Sequence, residues 1–496
     1  MTSFAVHLPV LQVVVPLFTA ALIPLLRERS LAWAAATAAS LCAFATAVLI
    51  TVAVRHSGPM SYAVGSWPAP YGIELAVDAF SALLLLIVTG ASSVALLIAR
   101  SSLDLEVAES RQYLLYTAWL LALAGLCGIV VAGDAFNIFV FMEISSLATY
   151  ILIAGGSKHA LPAVFKYLVM GTIGATFYLL GVGLIYMMTG TLNLADMAVR
   201  LGEVADTRPV LVAGGFITIG LALKAAVFPL HTWLPNAYAY APHAVTVFIA
   251  ACSTKVALYV LLRFDFFVLQ GNLSGHDSWF TALMLPLSII AVLAASVAAL
   301  WQRDLKKILA YSSVAQIGYI LFGAGLMSAS GLTGGIVHMF NHALAKGALF
   351  LAVACLAAHG ATLSLEGVAG AARRMPLTAA GFVAAGLSLI GIPGTAGFIG
   401  KWFLVLGAAE GQPVEIWLAI PILLGSLIAV VYIWRVVESL YFGTQCSTAG
   451  TVREAPWWMV LTLWAAVLGN FYFGLKPGLP LELARHAAFG LLAGQE

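Results

Sequence analysis

The sequence is short of charge. Of its 496 residues only 9% are Asp, Glu, Lys or Arg, against about 25% in an ordinary soluble domain. Basic and acidic residues nearly cancel, 23 against 21, for a formal net charge of +2. No charge field therefore points to nucleic acid or an acidic partner. Cysteine is scarce too. Cys42, Cys127, Cys252, Cys355 and Cys446 are scattered, with no C-x-x-C pair. That leaves neither a disulfide framework nor a cysteine metal site, and they read as small apolar helix residues. No glycine-rich phosphate loop follows a strand pattern, and no His/Glu zinc motif occurs. No metal and no cofactor is expected. No long polar insert interrupts the chain, so no separate catalytic domain is expected either.

What fills the chain is apolar. Hydrophobic residues make up 62% of it, and the mean hydropathy is +1.02. These values exclude a soluble globular enzyme and a disordered chain, and leave an all-α polytopic membrane protein. A span needs about 20 apolar residues. About fourteen segments qualify: 4–25, 31–54, 73–99, 112–132, 135–155, 162–189, 209–227 with 232–241, 243–268, 279–301, 306–328, 331–359, 376–408, 416–442 and 456–475. The first has no basic leader and no small-residue cleavage site, and reads as a retained span. One transmembrane domain, 1–496, is expected.

The seventh and twelfth segments are broken, at Phe228-Pro229-Leu230-His231-Thr232-Trp233-Leu234-Pro235 and at Gly391-Ile392-Pro393-Gly394-Thr395-Ala396-Gly397. Proline removes a backbone donor, and such a break survives in a membrane only where protein or water satisfies the freed groups. The breaks lie five spans apart. That spacing predicts two inverted five-helix repeats, 112–268 and 279–442, after three N-terminal spans within 1–111 and before a last span and short tail, 456–496. Broken helices at matching positions point to an ion site; two ordinary proline kinks are the alternative.

Loop charges set the orientation. Odd-numbered loops hold Arg27, Arg29, Arg100, Arg111, Lys158, Lys166, Arg303, Lys306, Lys307, Arg373, Arg374 and Arg453, whereas even-numbered loops hold only Arg55, Arg200 and Arg208. Lys and Arg accumulate on the cytoplasmic side, so both termini are predicted to face outward. The run Arg303-Asp304-Leu305-Lys306-Lys307 is explained by this rule alone. Asp78 and Asp134 read as helix caps near span ends.

A short list of charges then remains inside the spans. Glu143 lies mid-span, Lys224 just before the first break, Lys255 in the eighth span, and Lys401 just after the second break. His338, His342 and Lys346 fall at i, i+4 and i+8, on one helix face. Charges in hydrocarbon are costly and usually functional. The combination suits proton transfer: desolvation favours a neutral amine, a nearby carboxylate restores its charge, and histidine titrates near neutrality and can relay. No acid occurs between Asp304 and Glu366. Lys346 is thus expected to be uncharged for part of the time or to draw its counter-charge from elsewhere in the fold. His231 and His243, flanking the first break, fit either proton entry or satisfied polar groups.

These residues carry a family resemblance. The segments Arg303-Asp304-Leu305-Lys306-Lys307-Ile308-Leu309-Ala310-Tyr311-Ser312-Ser313, Gln316-Ile317-Gly318-Tyr319 and His342-Ala343-Leu344-Ala345-Lys346-Gly347-Ala348-Leu349-Phe350 resemble the antiporter-like proton-translocating subunits of Mrp-type cation/proton antiporters, respiratory complex I and membrane-bound hydrogenases. The similarity covers essentially all spans. Local features look more like the Mrp D subunit. Asn236 stands in His231-Thr232-Trp233-Leu234-Pro235-Asn236-Ala237-Tyr238, where complex I relatives usually place an acid. Thr254-Lys255-Val256-Ala257-Leu258-Tyr259 leads to Arg263, and the chain ends soon after the fourteenth span. His243 departs from the pattern, since relatives often carry a small hydroxyl residue there.

The resemblance implies roles. Glu143 matches the glutamate that modulates the seventh-span lysine, here Lys224. Lys255 matches the bridging position between the halves. His338, His342 and Lys346 match the eleventh-span relay, and Lys401 the twelfth-span lysine, often assigned to the exit side. The expected function is that of a subunit in a multisubunit Na⁺/proton antiporter of a bacterial cell membrane. The implied partners are other membrane subunits, protons, a monovalent cation and the bilayer. The alternative is a proton-pumping subunit of complex I or a membrane-bound hydrogenase.

Overall fold

The computed structural model describes residues 5–204, 207–269, 275–358, 362–410, 416–444 and 453–492; Cys446 lies outside them. Nearly every described residue is helical. The first three spans are α1 (Leu8–Leu26), α2 (Arg29–Ser57) and α3 (Ala79–Glu106), with a short hairpin of β1 (Met60–Ala63) and β2 (Glu74–Val77) between the last two. The next run is α4 (Glu109–Val131), α5 (Ala135–Ala154), α6 (Ala160–Thr189), the short α7 (Leu194–Val204), the broken pair α8 (Arg208–Lys224) and α9 (Leu234–Tyr240), and α10 (His243–Leu262). A second run holds α11 (His276–Leu300), α12 (Leu305–Gly325), α13 (Ala329–Ala357), the broken pair α14 (Pro376–Ile390) and α15 (Ala396–Glu410), and α16 (Ala419–Phe442). The last span is α17 (Trp457–Leu475), followed by α18 (Gly478–Leu492).

Twelve of these helices are long and apolar enough to cross a membrane. With the two broken pairs they make the fourteen spans expected from the sequence, and the protein is a multi-pass membrane protein. The apolar residues explain the helices, because lipid cannot satisfy backbone groups and only internal hydrogen bonding can. Local chemistry sets their starts. Asp78 caps α3, Asp134 caps α5 and Asp304 caps α12, each carboxylate accepting the backbone N–H three residues on, which satisfies one donor of the helix start.

The two runs repeat one packing plan. In the first, α4 packs on α5, α5 on α6, and α6 on both halves of the broken pair, α8 and α9; in the second, α11 packs on α12, α12 on α13, and α13 on both halves, α14 and α15. Each run also has a bridge at the capping aspartate, Asp134 with Asn193 and Asp304 with Ser364. Counterparts lie five spans apart, so they cross the bilayer in opposite directions and the repeat is inverted. The α10 and α13 helices pack together at the centre, with almost all of their residues buried. Beyond the last span, where the sequence predicts only a short tail, the chain forms α18. Leu483, Ala484, Ala487, Ala488 and Leu491 bury one face of it, and Arg55 of α2 pairs with Glu482 at 2.7 Å.

A buried lysine axis as the candidate functional site

Both breaks place a lysine at the end of a half-helix. Lys224 is the last residue of α8. The backbone then turns through Ala226, with φ at 55°, and Trp233 donates from Nε1 to the Leu223 carbonyl at 3.0 Å. Trp233 is held by a parallel stack on Tyr167, centroids 4.0 Å apart. In the second repeat α14 ends at Gly391, whose φ of 91° suits glycine. The ammonium of Lys401 lies 2.8 Å from the Ile390 carbonyl and 3.4 Å from that of Leu389. These are the last carbonyls of α14, the negative end of the half-helix dipole.

The partners of the four lysines differ. Lys224 Nζ sits 3.3 Å from Glu143 Oε1 and 2.8 Å from Ser146 Oγ. Glu143 and Ser146 are three residues apart on α5, so they share a face. A cavity of about 30 Å³, bordered by Ser146, Thr149, Tyr167, Lys224 and Ser253, runs from this pair towards α10; a water needs roughly half that. Lys255, fully buried, donates to the Ala250 carbonyl at 2.5 Å. Lys346, also fully buried, donates to the Leu309 carbonyl at 2.5 Å and to the Ser312 hydroxyl. Lys401 adds the Ser426 hydroxyl at 2.8 Å and the ring of Tyr319 at 4.6 Å. Among the described residues only Lys224 of the four has a carboxylate partner.

The histidines lie between them. His338 Nε2 is 2.7 Å from Gln316 Oε1, and the rings of His338 and His342 are nearly parallel with centroids 6.2 Å apart. The α15 backbone comes so close here that a side chain at Gly400 would meet His338 Nδ1 at 2.7 Å. Several buried polar atoms in this region have no protein partner: His338 Nδ1, both ring nitrogens of His342, both amide atoms of Asn341, and Thr254 Oγ1. Buried polar groups need hydrogen bonds, and a roomy polar interior satisfies them with water. The structure thus gathers all seven residues singled out from the sequence, Glu143, Lys224, Lys255, His338, His342, Lys346 and Lys401, onto adjoining buried helices.

Helix α12 links them, a role the sequence alone did not bring out. Leu309 and Ser312 hold Lys346, Gln316 meets His338, and Tyr319 lies over Lys401. Steps of three and four residues put these positions on one face, and that spacing is a readable signal. The repeat also explains the missing acid. Glu143 lies nine residues after the capping Asp134; nine residues after the capping Asp304 stands Ser313. The second repeat has a serine pair where the first has its glutamate.

Two other expectations are corrected. Lys306 is not a surface loop charge. It is buried, donates to the Ala241 carbonyl at 2.6 Å, and belongs to the first turn of α12. Asp78 is a cap, as expected, but it also pairs with Arg263 at 2.5 Å. Of the two undecided histidines, His243 pairs with Glu106, Nε2 to Oε1 at 3.5 Å. His231 stacks on Phe228 at 5.1 Å, and its buried Nδ1 has no partner.

Buried lysines on adjoining helices of two inverted repeats mark a class of membrane subunit, and known proteins of that class match this chain. Residues 132–429 match the family described as NADH:quinone oxidoreductase/Mrp antiporter, transmembrane. The chain belongs to that family. It is 42% identical over 455 residues to the N subunit of the NADH-quinone oxidoreductase of Desulforudis audaxviator (strain MP104C), covering 91% of this chain and 90% of the relative. It is 32% identical over 444 residues to the D subunit of the Na(+)/H(+) antiporter of Bacillus subtilis (strain 168), covering 88% of each. Among solved structures it matches a chain of the membrane-bound sulfane sulfur reductase, an archaeal respiratory membrane complex, with a TM-score of 0.90, 31% identity and 98% of each chain covered. The protein is an antiporter-like membrane subunit of this group.

Proposed function

We propose that this chain carries protons along the Lys224–Lys255–Lys346–Lys401 axis within a multisubunit Mrp-type antiporter, in exchange for Na⁺ or another monovalent cation. The observation that carries the reading is that, among the described residues, one carboxylate serves the four buried lysines, Glu143 at 3.3 Å from Lys224. An ion pair at one end can load or release the first lysine. His342 and His338 bridge the middle, and Lys401 faces the exit side. The chain supplies the proton path, while other membrane subunits complete the cation path. It acts as a secondary transporter subunit rather than an enzyme, in a bacterial cell membrane with both termini outside.

The test is cation-driven proton flux in inverted vesicles carrying the whole assembly. Undiminished flux in Glu143→Ala or Lys224→Ala would sink the assigned pair. Orientation has its own check. A thiol reagent that cannot cross membranes should reach Tyr71→Cys in intact cells and miss Ser157→Cys; the opposite pattern reverses the topology.

A second reading draws on the 42% identity to an NADH-quinone oxidoreductase component. In it the same axis is driven by electron transfer in partner subunits. Proton movement that follows quinone reduction and ignores a Na⁺ gradient favours this reading. Neighbouring genes for iron–sulfur or nickel–iron proteins favour it as well, whereas a set of small membrane subunits favours the antiporter.

A further inference from the structure

A second cavity lies away from the lysine axis. It is a slot of about 400 Å³ between α2, α3, α10, α13 and α17, and every side chain lining it is apolar. Gly90, Gly347 and Gly469 keep its walls low. A side-chain carbon added at Gly347 or Gly469 would meet nothing within 4 Å, so both face open space. An apolar cavity of about 150 Å³ already stays dry and takes up small hydrocarbons.

Its shape selects among occupants. On α17 the lining runs from Ala465 to Phe473, eight residue steps or about 12 Å at 1.5 Å per step. One leaflet of hydrocarbon is roughly 15 Å deep. A single extended hydrocarbon chain has the right girth and length.

The end of the slot is equally specific. Leu479, on α18, forms its lip, and the Arg55–Glu482 pair fastens α18 to α2 beside it. Between Phe473 and Leu479 stands Lys476, exposed at the end of α17, with Tyr472 exposed one turn before it. Lysine and tyrosine at this depth sit at the headgroup level.

We propose that this slot holds one acyl chain of an anionic bilayer phospholipid whose phosphate is bound by Lys476. The chain lies against α10 and α13, beside Ala251, one turn before Lys255, and Gly347, next to Lys346, and so packs against the helices that carry both lysines. The site belongs to the leaflet on the side of the α17–α18 connection.

The experiment uses the full chain, purified with whatever subunits accompany it, and does not depend on the transport reading. Equal amounts of dioleoyl phosphatidylglycerol and dioleoyl phosphatidylcholine are offered in detergent, and bound lipid is counted by native mass spectrometry. The wild type should retain one phosphatidylglycerol. Gly469→Phe, which fills the slot, should lower that retention roughly tenfold, and Lys476→Gln should abolish the preference over phosphatidylcholine by a similar factor. Equal retention in wild type and Gly469→Phe, or an unchanged preference in Lys476→Gln, overturns the proposal. A phospholipid with a photoreactive acyl chain checks the unmutated protein in native membranes. Labels on α3, α13 and α17 inside the slot support the site. Their absence, or crosslinks from slot residues to another subunit, refutes it.

Discussion

Lys224 and Glu143 form the one lysine–carboxylate pair on the axis among the described residues, at 3.3 Å, and Ser146 completes the site at 2.8 Å. The pair joins α5 to the end of the half-helix α8, so it couples a continuous helix to a broken one. Removing one member of a buried pair strands the other charge, which costs roughly 3–5 kcal/mol when burial is complete. Here the Glu143 side chain is 30% exposed, so the cost is smaller and the assembly should survive. Glu143→Gln should keep the shape and lose the charge. Proton flux is expected to fall roughly tenfold or more, with Glu143→Asp recovering part of it. Flux in inverted vesicles, normalised to assembled complex, measures this.

Ser312 and Gln316 are expected to matter as much as the charged residues they touch. Ser312→Ala leaves the Lys346 ammonium with the Leu309 carbonyl at 2.5 Å as its remaining close oxygen partner. A hydrogen bond to a charged group contributes about 1.5–3 kcal/mol, so flux should drop several-fold while the subunit still assembles. Ser312→Thr, which keeps the hydroxyl, should restore it. Gln316→Leu should act similarly through His338. Wild-type flux in both Ser312→Ala and Gln316→Leu would mean that α12 only fills space.

Much of the site is legible in the sequence, and the reason is energetic. A lysine in hydrocarbon is expensive, so Lys224, Lys255, Lys346 and Lys401 announce themselves. Pro229, Pro235 and Pro393 do the same for the breaks, because proline removes a backbone donor, although α1 and α11 run on through Pro16, Pro24 and Pro286. Serine carries no such cost. Ser146, Ser312 and Ser426 are ordinary helix residues until a lysine is seen beside them. Lys306 misleads because it lies two residues from Asp304, where a helix start and a surface loop look alike. The helix α18 escapes notice because Glu482, Arg485 and His486 break its apolar pattern before it reaches span length.

The Asp78–Arg263 pair should show in stability against pH. Burial pushes the Asp78 carboxyl up, but the Arg263 guanidinium, 2.5 Å away, more than reverses this and holds it below the usual carboxylate range. A carboxylate with a depressed folded-state value stabilises the fold above its ordinary value, about 3.9. It loses that contribution as pH falls through the lower folded-state value. The wild-type unfolding temperature in detergent should therefore decline as pH drops below about 4. Arg263→Gln should lower that temperature at neutral pH, through a loss of stability on the order of 1–2 kcal/mol since Asp78 is partly solvated. The acid-dependent part of the decline should shrink in that variant. Parallel pH curves for the two proteins would show that the pair contributes nothing.

Trp233 separates two ways of holding the first break. Its Nε1 donates to the Leu223 carbonyl at 3.0 Å, and its ring stacks on Tyr167 at 4.0 Å. That carbonyl belongs to the residue before Lys224, and it also accepts from the Ala226 N–H at 3.2 Å. Losing one of its two hydrogen bonds costs about 0.5–1.5 kcal/mol, and a stacked aromatic pair adds about 0.5–1.5 kcal/mol beyond its burial. Trp233→Phe removes the donor and keeps a ring; Trp233→Leu removes both. If the hydrogen bond fixes the half-helix end, Trp233→Phe should already displace Lys224 from Glu143 and lower flux several-fold, with Trp233→Leu only slightly worse. If stacking dominates, Trp233→Phe should stay near wild type. Combining each Trp233 variant with Glu143→Gln reads the displacement in the same membranes used for flux: where Trp233 acts by holding Lys224 against Glu143, the second substitution should add little to the first.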